Sequence, residues 1–161
     1  MRIVAFSDTH DNTENVKKLI RKVNKLKVDY AFHLGDICSP FTIKLFEDLK
    51  VKRLYVVFGN NDGDKVNLIK NMPKHAEYFN LYGEVEIFGK KIFFIHYDFI
   101  ARAVAFMNKY DIVLFGHTHK KEINKIGKTL LINPGEVLGY FKDPSFCLID
   151  LKNNKIKFYK I

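Results

Sequence analysis

Carboxylate, amide and imidazole side chains stand at five points where an apolar run gives way to a turn: Asp8-Thr9-His10, Gly35-Asp36, Gly59-Asn60, His96 and Gly116-His117-Thr118-His119. In Asp8-Thr9-His10 and His117-Thr118-His119 the one-residue gap lets both outer side chains point the same way while the chain is still extended. Gly59 permits the sharp turn that lifts the Asn60 amide to the same level. Singly these signals are weak, because a DxH triplet is common and glycine before Asp or Asn usually marks a turn. Without the other motifs, Asp8 and His10 would read as a strand end with a capping aspartate. Together they bring two carboxylates, one amide oxygen and four of the six histidines to the predicted carboxyl ends of strands. That is more ionisable chemistry than a core tolerates without a metal. Carboxylate with imidazole suits Mn, Fe, Co, Ni or Zn, whereas an oxygen-only Mg or Ca site would not need the histidines. Seven such groups exceed one tetrahedral ion and fit two divalent ions that share a bridging carboxylate.

The elements that must position these groups follow from periodicity. Arg2 to Ser7 reads as a strand, and Asp11-Asn12-Thr13-Glu14 as the start of a helix. In that helix Val16, Leu19, Ile20, Val23 and Leu26 recur on one face opposite lysines, the pattern of a helix laid on a sheet. Tyr30 to Leu34 is a second strand, Ser39-Pro40 opens a helix running to about Leu49, and Arg53 to Phe58 is a third strand. These are consecutive βαβ units with parallel strands and right-handed crossovers. Ile92 to Ile95 and Ile112 to Phe115 read as further strands, with a helix over about Ile100 to Lys109 between them. Turns at Gly89-Lys90, Gly127-Lys128 and Asn153-Asn154 predict hairpins. The expected architecture is α/β (α+β), one domain over residues 1–161. It is a four-layer α-β-β-α sandwich, in which a parallel half and a hairpin-rich half each form a mixed sheet and helices cover the outer faces.

Composition bounds the rest. The chain has 161 residues, 47% hydrophobic and 28% charged, enough for a core of its own and unlike a disordered or fibrous chain. No apolar run approaches the roughly 20 residues of a bilayer span, and Met1 leads directly into a strand, so a cytoplasmic location without membrane association is expected. Cys38 and Cys147 stand far apart, which suggests reduced thiols. The net charge of +9 raises nucleic acid as a partner. However, only Arg2, Arg21, Arg53 and Arg102 are arginines, and the lysines are scattered. The charge therefore reads as solvated surface, with nucleic acid a less favoured partner.

SDTH at 7 to 10, LGD at 34 to 36, GNND at 59 to 62 and GHTH at 116 to 119, in that order, resemble the calcineurin-like metallophosphoesterases. Ile132-Asn133-Pro134-Gly135 is similar to the NPG element of the small YfcE-type branch, so the resemblance runs across most of the chain. It implies a metal-dependent phosphoesterase, most closely a phosphodiesterase acting on a small phosphodiester. Asp8, His10, Asp36 and His119 would hold one ion; Asp36, Asn60, His96 and His117 would hold the other, with Asp36 as the bridge. A hydroxide activated by such ions needs no separate strong base, since metal lowers the pKa of water from about 15.7 to near 7. Asn60 would lie close to the bound phosphate. Larger members carry a histidine where this chain has Asn61, and an amide cannot act as a general acid. Tyr97 stands where the family usually has glycine after the metal-binding histidine.

Several residues have plainer readings. His33 is expected to be a hydrogen-bonded interior histidine, His75 a surface-loop residue, and Cys38 a small buried thiol. Asp62 is expected to orient a histidine or cap a helix, and so is Asp98. Two functional alternatives remain open at this level. One is a catalytically weak scaffold binding an unidentified protein partner, as the retromer sorting subunit of the same fold does. The other is a nuclease, against which stands the absence of any added domain to track a strand.

Overall fold

Arg2–Phe6 (β1), Tyr30–His33 (β2), Arg53–Val57 (β3) and Ala76–Phe79 (β4) lie side by side in that order, all parallel, in the computed structural model, which describes all of residues 1–161. Strands covered on both faces are near-continuous apolar runs, and Ile3 through Phe6 are accordingly all buried. Thr13–Leu26 (α1) joins β1 to β2 and buries Val16, Leu19, Ile20 and Val23. It starts where Asn12 Oδ1 accepts the Asn15 N–H at 3.1 Å and stops where Lys27 turns left-handed at φ 51°.

The helix expected from Ser39-Pro40 to Leu49 is instead two pieces, Pro40–Lys44 (α2) and a 3₁₀ turn over Leu45–Asp48. Ser39 caps it as predicted. Its far end tightens where Asn24 of α1 donates to Asp48 O and accepts from Lys50 N, claiming backbone groups that another helical turn would use. Lys65–Lys70 (α3) then leads to β4.

The second sheet runs Tyr82–Ile87 (β5), Lys90–Ile95 (β6), Ile112–Leu114 (β7), Thr129–Pro134 (β9) and Lys121–Ile126 (β8), in that spatial order. Asp98–Phe106 (α4) crosses from β6 to β7. It starts two residues before the expected Ile100 and ends short of Lys109, because Asn108 turns left-handed at φ 52°. The β5–β6 and β8–β9 hairpins form as expected.

Both sheets are mixed, as expected, and the two halves of the chain share them: Ser145–Asp150 (β10) pairs antiparallel with β1, and Lys155–Lys160 (β11) follows it onto the first sheet, while β6, β7 and β9 run parallel within the second. The reason lies in β10, which is apolar on both sides. Phe146 and Leu148 face the α1 layer, Cys147 and Ile149 the other sheet, so this strand requires an interior position. The four layers are as expected. Ile3, Ala5, Phe32, Leu34 and Val57 interlock with Ile92, Phe94, Ile112, Leu114 and Ile132 between the sheets. The α1 and α2 layer packs on the outer face of the first sheet, and α4 on that of the second through Ala101 and Ala105. No helix is long and apolar enough to cross a membrane.

Candidate metal centre

Because β1, β2 and β3 are parallel, and β6 is parallel to β7, their carboxyl ends deliver the five motifs to one rim between the sheets. The loops there are held to one another by backbone. Asp8 N donates to Gly35 O (3.1 Å), Thr9 N and His10 N both donate to Asp36 O (3.0 Å each), and Gly116 N donates to His96 O (3.1 Å). Asp8, His10, Asp36, His117 and His119 all have left-handed backbones, with φ between 39° and 67°. A non-glycine residue holds that conformation only where its surroundings over-determine it. Gly59 and Gly116 supply the close approach: a β-carbon would collide with the Asp36 carboxylate at the first and with Ser7 Oγ at the second.

Two convergent clusters result. In one, Asp8 Oδ1 is 3.8 Å from His10 Nε2 and 3.5 Å from His119 Nε2. In the other, His96 Nε2 lies 3.5 Å from Asp36 Oδ2, 3.1 Å from Asn60 Oδ1 and 3.3 Å from His117 Nδ1. Asp36 Oδ2 stands between them, 3.3 Å from His10 Nε2. Asn61 fixes that carboxylate, donating its backbone N–H to Oδ1 (2.9 Å) and its side-chain amide to Oδ2 (2.8 Å).

The donor set fits divalent cations, and the hydrogen bonds show why. His96 donates Nδ1–H to Leu34 O at 2.7 Å and His119 donates Nδ1–H to Glu136 Oε2 at 2.6 Å. Each ring therefore turns its Nε2 lone pair toward carboxylate or amide oxygen, an arrangement of acceptor against acceptor that a cation resolves. Asp8 Oδ1 and His10 Nε2 are buried without a hydrogen-bond partner. A proton can take the place of that cation, because the same negative field draws protons onto these imidazoles. His10 is pushed up to about 10, chiefly by Asp8, with Cys38 and Asp36 adding to it against the effect of burial. Burial works to raise Asp36, yet His96 and the Asn61 donors outweigh it and hold the carboxyl well below its usual range.

The neighbours divide into those the sequence placed and those it did not. His33 is fully buried, accepts the Gly35 N–H on Nδ1 and contacts Thr9 Oγ1 through Nε2 at 3.2 Å; burial lowers it to about 3, so it is neutral. Asp62 does not orient a histidine. Its carboxylate accepts from Asp36, Ile37, Cys38 and Gly59 N–H groups, bracing the Gly35-Asp36 loop against the Gly59-Asn60 loop. Asp98 opens α4, 3.8 Å from Arg102 Nε. Cys38 is no core thiol: it is half-buried and faces the rim, with Sγ 3.6 Å from His10 Nδ1. Tyr97 packs beside both His96 and His117. Asn133 ties the Pro134 turn to the His117 loop, donating to Gly116 O at 2.7 Å. Sequence reasoning missed Glu136, a fully buried carboxylate; its only signal was an acid following Asn-Pro-Gly before an apolar residue.

Residues 1–154 match the family model of the calcineurin-like phosphoesterase superfamily domain. The chain is 33% identical to phosphodiesterase MJ0936 of Methanocaldococcus jannaschii, over 98% of this chain and 97% of that one. A solved structure of an archaeal phosphodiesterase superposes with a TM-score of 0.91 at 32% identity, covering both chains fully. The phosphoesterase YfcE of E. coli superposes over the whole of both chains with a TM-score of 0.71 at 15% identity, a likeness of fold.

Proposed function

The chain belongs to the calcineurin-like phosphoesterase superfamily, and from that premise we propose that it is a metal-dependent phosphodiesterase, working as one domain on a small phosphodiester with two divalent transition-metal ions. Asp8, His10, Asp36 and His119 would hold one ion, and Asp36, Asn60, His96 and His117 the other. The observation that carries this reading is the position of Asp36 Oδ2, 3.3 Å from His10 Nε2 and 3.5 Å from His96 Nε2, as a carboxylate shared by two sites requires. Bound there, such ions supply a nucleophile at neutral pH and offset charge developing on the phosphoryl oxygens.

The chain's own residues do the rest. Glu136 and Leu34 O fix the tautomers of His119 and His96, so that both present Nε2 to the site. Asn61 and the Asp62 brace hold Asp36 still, which keeps the site ordered before substrate arrives. Asn60 Oδ1 lies 3.1 Å from His96 Nε2 at the rim, where it would stand beside a phosphate held by the ions. Asn61 is an amide committed to Asp36, so no side chain at that position protonates the departing oxygen. Substrates whose acidic leaving groups depart without a proton should therefore react fastest, with water able to supply the proton to the others.

The test is hydrolysis of bis(p-nitrophenyl) phosphate against p-nitrophenyl phosphate, with Mn²⁺ or Ni²⁺ added or withheld, in wild type and Asp36→Asn. Metal-dependent activity that favours the diester and is lost in the variant is expected. No turnover with ions bound would overturn the proposal and move the scaffold reading forward.

A further inference from the structure

Glu136 has a second task. While Oε2 receives His119 Nδ1–H, Oε1 receives the backbone N–H groups of Phe141 (2.7 Å) and Lys142 (2.6 Å). One buried carboxylate thus fixes a candidate metal ligand and the loop beside it as a unit. That loop holds the Phe141 ring out toward solvent, 62% exposed and edge-on to the His119 imidazole, with centroids 5.1 Å apart and planes at 79°. Phe141, Lys120, Lys142, Thr118 and His119 border an open hollow of about 370 Å³, within the range of small-ligand sites. Neither Lys120 nor Lys142 is among the lysines that pair with a carboxylate, which are Lys17, Lys52, Lys90, Lys109 and Lys160. Lys120 and Lys142 also border a second hollow with Lys121 and Asp143, and the Asp143 carboxylate is taken by Lys160 at 3.1 Å.

We propose that this hollow is a nucleotide subsite: Phe141 stacks a nucleobase, and Lys120 and Lys142 hold a phosphate other than the one at the aspartates and histidines. The inference rests on the phosphodiesterase reading and narrows its substrate to a nucleotide-bearing phosphodiester. An aromatic face suits any base, because every base has a π-face. Unpaired ammonium groups suit phosphate as point charges. A simple alkyl ester would leave the ring unused, and a single-phosphate aryl ester would leave the lysines unused.

Thymidine 5′-(p-nitrophenyl) phosphate and methyl p-nitrophenyl phosphate share a leaving group and differ in the base. With Mn²⁺-loaded protein, the thymidine ester is expected to have a kcat/KM at least about fivefold higher, mainly through KM. That preference should fall toward one in Phe141→Ala and survive in Phe141→Tyr. Equal rates on the two esters in wild type, or a preference that Phe141→Ala leaves intact, would overturn the subsite. If neither ester is hydrolysed, the phosphodiesterase reading fails, and calorimetric binding decides the subsite by itself. ADP should then bind at least about fivefold more tightly than pyrophosphate, with the margin lost in Phe141→Ala and both affinities lowered in Lys120→Ala with Lys142→Ala. No margin in wild type overturns it. Competition between ADP and a thymidylate octamer separates a free nucleotide from a strand end as the source of the same chemistry.

Discussion

Glu136 holds His119 through a 2.6 Å hydrogen bond between Oε2 and Nδ1, and the carboxylate is wholly buried. Glu136→Gln keeps the shape but makes one of the two oxygens an NH₂ donor, leaving a single acceptor for three donors. Partners that orient a metal-bound histidine contribute about 10- to 100-fold to metal affinity. Titration calorimetry with Mn²⁺ should show a loss of that size in the variant. Unchanged affinity would remove Glu136 from the metal centre.

Asn61 donates its side chain to Asp36 at 2.8 Å and stands at the rim, so a histidine there is placed to reach a leaving oxygen. Asn61→His should speed alkyl phosphodiesters relative to nitrophenyl ones by about 100-fold, the lower end of the general-acid range being expected because the Asp36 contact is altered. Equal effects on both leaving groups would eliminate the missing-acid explanation.

The two cysteines should differ sharply toward alkylating agents. Burial pushes the Cys147 thiol up to about 12, whereas Cys38 is half-buried at the rim. Reactivity follows thiolate and access. Iodoacetamide should add one group to the native protein, at Cys38, and reach Cys147 only in denaturant; mass spectrometry of the native protein showing Cys147 modified first would contradict this.

Asp111 gives a pH dependence away from the metal site. Burial works to raise it, but the Lys91 N–H at 3.0 Å and the Lys90 ammonium at 3.3 Å outweigh that and set it below the usual carboxylate range. A carboxyl depressed by folding stabilises above its unfolded value of about 3.9, and the benefit is lost as pH falls through the folded value. Asp111→Asn should therefore lower the denaturation midpoint at neutral pH, with the gap from wild type closing toward pH 3. A gap equal at both pH values would refute the ionic origin.

Phe94 fills the space between the sheets, edge-on to Phe32 and to Phe79, both at 5.1 Å, and has no exposed surface. Phe94→Ala should cost about 3–5 kcal/mol in urea unfolding. A cost under about 1 kcal/mol would mean that the core collapses around the gap.

The first βαβ units were legible because local pattern decides them. The buried stripe Val16, Leu19, Ile20 and Val23 and the cap at Asn12 are properties of adjacent residues. The rim was legible for a related reason: in parallel strands the carboxyl ends must share a side, so motifs at strand ends meet. What escaped depends on distant partners. A continuous apolar run marks Ser145–Asp150 as a strand but says nothing of its neighbour; only burial of both its faces calls for an interior place beside β1. Glu136 looks like any acid after a turn until His119 comes within 2.6 Å of it. Cys38 faces the rim because its backbone is left-handed at φ 77°, a conformation that side-chain type alone does not announce.

The placement of β10 also orders assembly. Strand β1, which carries Asp8, is flanked by β2 on one side and β10 on the other, with Ile3 opposite Ile149 and Ala5 opposite Cys147. During synthesis, β1, β2 and β3 are available early, but β1 keeps an open edge until β10 emerges. Joining sequence ends this far apart is slow, and an uncovered edge strand recruits other chains. The rim loops around Asp8 therefore gain their final support last, and a nascent chain is most vulnerable to misassembly while the same strand that bears the ligand waits for its partner.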